Sequence, residues 1–91
     1  MSKFPLLDKS INEVLIRKIV VECSTAFARY GKTEVFDLDS AYELCQSFIE
    51  DHMGSHPMCW IHLYKDDLFY HGGLVCHRSA LVSENGIKEF D

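Results

Sequence analysis

Histidine and cysteine gather in the second half of the chain, where Cys59-x-x-His62 and Cys76-His77 have the spacing of two half-sites for a metal. Zinc needs four ligands that converge as a tetrahedron. On a strand, residues three apart point to opposite faces, as adjacent ones do, so neither pair converges unless a turn intervenes at Cys59. The expectation is free thiols and surface imidazoles, with no metal and no cofactor. His52 and His56 have i, i+4 spacing, but Gly54 and Pro57 end a helix between them, and H-E-x-x-H is absent. His52 itself reads as a helix-end or partly buried histidine.

Two nucleophile patterns are also tested. His71-Gly72-Gly73 has the composition of a loop whose N–H groups face an oxyanion, yet no G-x-S-x-G elbow accompanies it. A bulge or bend in a strand is the expectation there. A catalytic thiol needs a base within hydrogen-bond reach, and Cys76 beside His77 lacks one on a regular strand. No catalytic residue is assigned.

The remaining candidates are binding residues. If Met58 to Tyr64 is a strand, Trp60, His62 and Tyr64 share one face while Cys59, Ile61 and Leu63 share the other. The aliphatic set suits the core, which leaves an aromatic, hydrogen-bonding stripe of the kind enriched at interface hot spots. The alternative is that the first helix covers the aromatic face. The second candidate surface is electrostatic. Residues 33–64 hold six acids (Glu34, Asp37, Asp39, Glu43, Glu50, Asp51) and no Lys or Arg, a net of −6. Residues 1–32 hold six basic and three acidic side chains, net +3, and residues 65–91 are net −2. Surfaces ordinarily mix signs, and a one-sign patch steers a complementary partner.

These residues must be positioned by a small α+β domain. Ser10 and Glu13 have capping-box spacing, and no Gly or Pro follows until Gly31, which predicts one long helix. Its core face would hold Leu15, Ile16, Ile19, Val20, Cys23, Ala26, Phe27 and Tyr30, with Val14, Val21 and Ala28 as a separate strip. The β-branched run Ile19–Cys23 would also suit a strand, and length decides for helix. Thr33–Leu38 reads as a connection or edge strand. Ser40 and Glu43 repeat the capping box ahead of a second helix to Met53, whose stripe is Ala41, Leu44, Cys45, Phe48, Ile49 and Met53. Gly54 fits the left-handed position after its last turn. Strands follow at 58–65 and 68–78, joined at Asp66-Asp67, then a hairpin around Asn85-Gly86 with a type I′ turn. The predicted fold is α+β: two N-terminal amphipathic helices, then a three- to four-stranded antiparallel sheet, all one domain over 1–91.

Composition bounds the rest. The 91 residues are 47% hydrophobic and 25% charged, with net charge −5, and their composition is globular. The net charge argues against nucleic acid as a direct ligand, because phosphate binding needs a basic footprint. Lys3, Pro5, Asp8 and Lys9 leave no apolar segment for export, and no run suits a bilayer, so a cytoplasmic location without membrane contact is expected. Four widely spaced cysteines in such a composition read as free thiols, with Cys23 and Cys45 on apolar helix faces. The functional expectation is a small acidic, non-catalytic protein-binding module. It would be a regulator or inhibitor docking on a basic surface of a partner such as a nucleic-acid-handling enzyme. Alternatives are a homo-oligomeric (homodimeric) accessory domain and a small Cys/His enzyme or metal protein using His62, His71, Cys76 and His77.

Overall fold

The β-branched run decides the first half of the chain. In the computed structural model, which describes residues 3–90, Ile16–Ser24 is a strand, β1, and not the middle of a helix. Ile19, Val21 and Cys23 alternate into the core, while Leu15 and Tyr30, assigned to a helical core face, are exposed. Pairing on both sides rewards β-branched side chains, which are stiff in a helix. The Ser10/Glu13 box is real spacing used elsewhere: it lies in the last turns of a short helix, α1 (Pro5–Glu13), which starts on Pro5 and ends where the Val14 N–H donates to Ser10 O at 2.8 Å.

A turn built on Thr25, whose hydroxyl accepts from the Phe27 and Ala28 N–H groups, leads into β2 (Arg29–Val35). Gly31, with φ +89°, lies within that strand at the bulge where the register against β1 shifts between Glu22 and Ser24. The helix α2 (Leu38–Asp51) begins one turn earlier than the Ser40 box predicted, because Asp37 is the N-cap and accepts from the Ser40 N–H at 2.8 Å. Of the expected stripe, Ala41, Cys45 and Ile49 are buried and Leu44 and Phe48 pack against them half-buried, with Leu38 added at the start. Met53 is exposed, because the helix stops at Asp51 and Met53 lies past its last turn. Gly54 stands at φ +91°, the left-handed geometry anticipated after the last turn.

The rest is sheet. β3 (Met58–Asp66), β4 (Leu74–Ser83) and β5 (Gly86–Phe90) complete five antiparallel strands in the order β2-β1-β3-β4-β5. The architecture is α+β among the described residues, but the helices are not both N-terminal, since two strands lie between them. The second of the expected strands starts later, because residues 67–73 form a loop and the irregularity falls at His77, where Tyr64 faces Cys76 and Leu63 faces Arg78. Positive φ is confined to Gly86 in the last hairpin, so its turn is not type I′. Residues 1, 2 and 91 of the expected domain lie outside the described residues.

Both helices pack on one face of the sheet. The core joins Leu7 of α1 and Ala41, Cys45 and Ile49 of α2 to Val21, Ile61, Leu63, Ala80 and Val82. The aliphatic face of β3 is therefore the buried one, and no helix covers the aromatic face. No helix among the described residues is long and apolar enough to cross a membrane.

Candidate partner-binding surfaces

Residues directly opposite each other in an antiparallel ladder share a face, so the registers list the open side of the sheet row by row. One row runs Glu34, Val20, His62, Ser79, Phe90 from β2 to β5. The next runs Lys32, Glu22, Trp60, Leu81, Lys88, and a third joins Lys18, Tyr64 and Cys76. Trp60, His62 and Tyr64 thus form one continuous stripe along β3. The Trp60 and His62 rings are stacked at 5.9 Å and 4°, Phe90 lies 5.4 Å from Trp60, and Lys18 and Lys88 reach over the Tyr64 and Phe90 rings. All three stripe residues are half-buried by these neighbours.

His62 is also the centre of a polar chain. Its Nε2 lies 3.6 Å from Glu22 Oε2, and its Nδ1 shares a hydrogen bond with the Ser79 hydroxyl at 2.6 Å. Cys76 Sγ lies 3.3 Å from Ser79 Oγ and 3.9 Å from His62 Nδ1. The bulge at His77 causes this, since it turns both Cys76 and Ser79 to the open face. Hydroxyl, imidazole and carboxylate are in the order of a nucleophile relay. Ser79, however, is on β4 between two paired strands, where the main-chain N–H groups serve the ladders and not a developing oxyanion. The chain of contacts ties three strands together on the open face, with the His62 ring parallel to that of Trp60.

Cys59 and His62 project to opposite faces, as strand geometry requires, and among the described residues no three His, Cys, Asp or Glu side chains converge on a metal position. Cys23 and Cys59 are instead a cross-strand pair in the core, with sulfurs 3.3 Å apart. The shared hydrogen bond and burial push the Cys23 thiol well up. For Cys59 the hydrogen bond from Cys23 favours the thiolate, but contact with Cys45 and burial outweigh it and push the thiol up to about 12. Cys45 is buried and Cys76 exposed; all four are free thiols, with Cys23 on a strand instead of a helix. His52 caps α2, its Nδ1 2.8 Å from Phe48 O and its ring stacked on Phe48 at 4.1 Å, which is the helix-end role anticipated.

The six acids do not form one patch. Glu34 is on the open sheet face, beside Val20 and Lys32. Asp37 caps α2, and the hydrogen bond from the Ser40 N–H holds its carboxyl below the usual range. Asp39, Glu43 and Glu50 fall within about 40° of one another on α2, on the side away from the core, and all are exposed. Asp51 is exposed at the end of the same helix. The helix acids and the aromatic stripe consequently occupy opposite sides of the molecule. Glu22, Ser79 and Phe90 were missed in the sequence, and the signal for Phe90 and Ser79 was available only once the register was known; Cys76 is legible there as a neighbour of His77, not of Ser79.

Comparison of the chain with protein-family models, with curated proteins and with solved structures gives no significant match.

Proposed function

We propose that this chain is a small acidic, non-catalytic protein-binding module that docks on a basic surface of a partner protein. The observation that supports it is the outer stripe of α2. Asp39, Glu43 and Glu50 span about 16 Å of helix, and among the described residues no cation lies within ion-pair distance of them. Asp37 and Asp51 add negative charge at the two ends of the same helix, while Glu34 lies apart on the open sheet face. A basic groove that ordinarily holds phosphate, as in a nucleic-acid-handling enzyme, is the partner chemistry that fits. Regulation or inhibition by occupancy of that groove follows. Trp60, His62 and Tyr64, on the other side, offer a second contact surface for a larger assembly.

The test is a pull-down from nuclease-treated lysate at low and high salt, with wild type and the Glu43→Lys/Glu50→Lys variant. A basic protein retained at low salt, lost at high salt and not retained by the variant is the expected result. Both substitutions are on exposed positions, so thermal stability should stay within about 0.5 kcal/mol of wild type. A partner bound equally well by the variant would overturn the acidic docking.

A second reading, a homo-oligomeric accessory domain, is favoured by large apolar side chains left in the open, Phe36, Leu68 and Phe69 among them. The Val14–Val21–Ala28 strip is no candidate for that contact. Val21 is fully buried in β1, whereas Ala28 is exposed in the β1–β2 turn.

A further inference from the structure

One end of the sheet carries an apolar rim. The registers Ile16 with Lys65, Ile19 with Val35 and Asp66 with Leu74 bring the start of β1, the end of β2 and the β3–β4 loop to that same end. Leu15, Phe36, Leu68, Phe69 and Tyr70 are there, with exposures of 68, 93, 92, 95 and 74%. With strands about 4.8 Å apart, β2 to β4 spans only about 14 Å across the sheet, so the five gather at one end of it.

The loop is built to display its three apolar residues. Asp67 N–H donates to Gly73 O at 3.0 Å, Gly73 N–H to Tyr70 O at 2.9 Å, and Phe69 N–H to Asp67 Oδ1 at 2.9 Å. Gly72 takes φ +79°, and a Cβ on Gly73 would stand 3.0 Å from Tyr70 Cβ. Three backbone N–H groups are thus bonded within the loop while Leu68, Phe69 and Tyr70 stand exposed on it. Ordering them on contact costs less than it would in a slack loop.

A receptor for such a loop lies beside it. A groove of about 540 Å³ has a floor of Ile11, Ile16, Val35, Phe36 and Leu38 and a charged rim of Asp8, Glu34, Asp37 and Asp39 against Lys18 and Arg17. Arg17 is bonded to Asp66 at the base of the loop, 3.1 Å. Loop and groove therefore adjoin on one end of the same molecule. A contact in which each copy both inserts and receives closes a two-fold dimer without leaving a free site. The area agrees: aromatic side chains bury about 150–250 Å² each, so three of them with two leucines give roughly 700 Å² per copy, close to the ~800 Å² of a standard interface. An anionic bilayer fits less well, because Asp37 and Asp39 on the groove rim and Asp66 and Asp67 at the base of the loop would face its headgroups, whereas in a dimer Arg17 and Lys18 of the same rim stand opposite such acids.

Resting on the homo-oligomeric reading, we propose that this end of the sheet closes a homodimer in which the Leu68–Tyr70 loop of each copy enters the Ile11/Phe36 groove of the other. The full chain is followed by light scattering and sedimentation from about 1 to 100 µM, the range a standard-size interface reaches at its weak end. Wild type should approach twice its 10.5 kDa mass. Leu68→Ser/Phe69→Ser and, separately, Phe36→Ser should each weaken association at least tenfold with unchanged circular dichroism. Should the double variant misfold, Phe36→Ser decides. A wild type that stays monomeric overturns self-association altogether. A dimer that both variants retain overturns this surface while leaving self-association standing. A monomer that co-sediments with phosphatidylcholine/phosphatidylserine vesicles through Phe69 reassigns the loop to a lipid surface and overturns the dimer.

Discussion

Leu63→Ala tests the assignment on which both surfaces depend, namely that the aliphatic side of β3 is the core. Leu63 is fully buried, on the central strand, between Ile19 of β1 and Arg78 of β4. Truncation removes three carbons, about 2.4 kcal/mol at ~0.8 kcal/mol each, plus a cavity term in a sheet that is paired on both sides and cannot collapse. The expected cost is about 3–4 kcal/mol. For 91 residues the unfolding entropy is roughly 0.19 kcal/mol/K, so Tm should fall by about 15–20 °C. A domain of this length has only about 5–14 kcal/mol to lose, so the variant should be near its folding limit at physiological temperature. The control is Leu68→Ala, the same chemical change at a position 92% exposed, which should cost under about 0.5 kcal/mol. Both are measured by thermal and urea denaturation at a concentration where no association is seen, since dimerisation would couple Tm to concentration. A Leu63→Ala cost below about 1 kcal/mol, or one matched by Leu68→Ala, would refute the layer assignment.

Other expectations are cheaper to check. Thiol labelling of the native protein should modify Cys76 quickly and Cys23, Cys45 and Cys59 only on unfolding, read by mass spectrometry; rapid labelling of all four would contradict their burial. Because the folded-state values of Cys23 and Cys59 are raised, the stability they contribute is complete below the unfolded thiol value of about 8.5 and is lost as pH climbs toward about 12. Alkaline denaturation should accordingly begin earlier for wild type than for a Cys23→Ala/Cys59→Ala variant of matched neutral-pH stability. Gly73→Ala should disturb the β3–β4 loop, because its Cβ would crowd Tyr70, and the change should be seen as faster amide exchange at Asp67 and Gly73 without global unfolding; unchanged exchange would mean the loop is not held as described.

The helix α2 was legible because its apolar stripe and Gly54 agree with one another, although the Ser40 box put its start one turn late. Strands β3 and β5 were legible through alternation and the Asn85-Gly86 turn signal. The first third was not. Ile19-Val20-Val21 has a period of neither helix nor strand, since Val20 is buried on the open face beside Glu34 and His62 while its neighbours are buried in the core. A strand apolar on both sides shows no alternation, and a capping-box spacing at Ser10 and Glu13 then pulled the assignment toward helix.

Alternation in Cys59 to Tyr64 determined by itself that aliphatic and aromatic side chains would part to opposite faces, and the acid run determined that one helix would carry no compensating cation. These are local properties, set by pleat and by composition. Only the tertiary structure decided that Glu22, His62, Ser79 and Cys76 meet, because they come from three strands whose register and one-residue bulge no single segment specifies. It also decided that the acids of α2 and the aromatic stripe lie on opposite sides, since the crossover from β2 to β3 carries α2 over the aliphatic face, where burial of apolar area outweighs any attraction between the two surfaces.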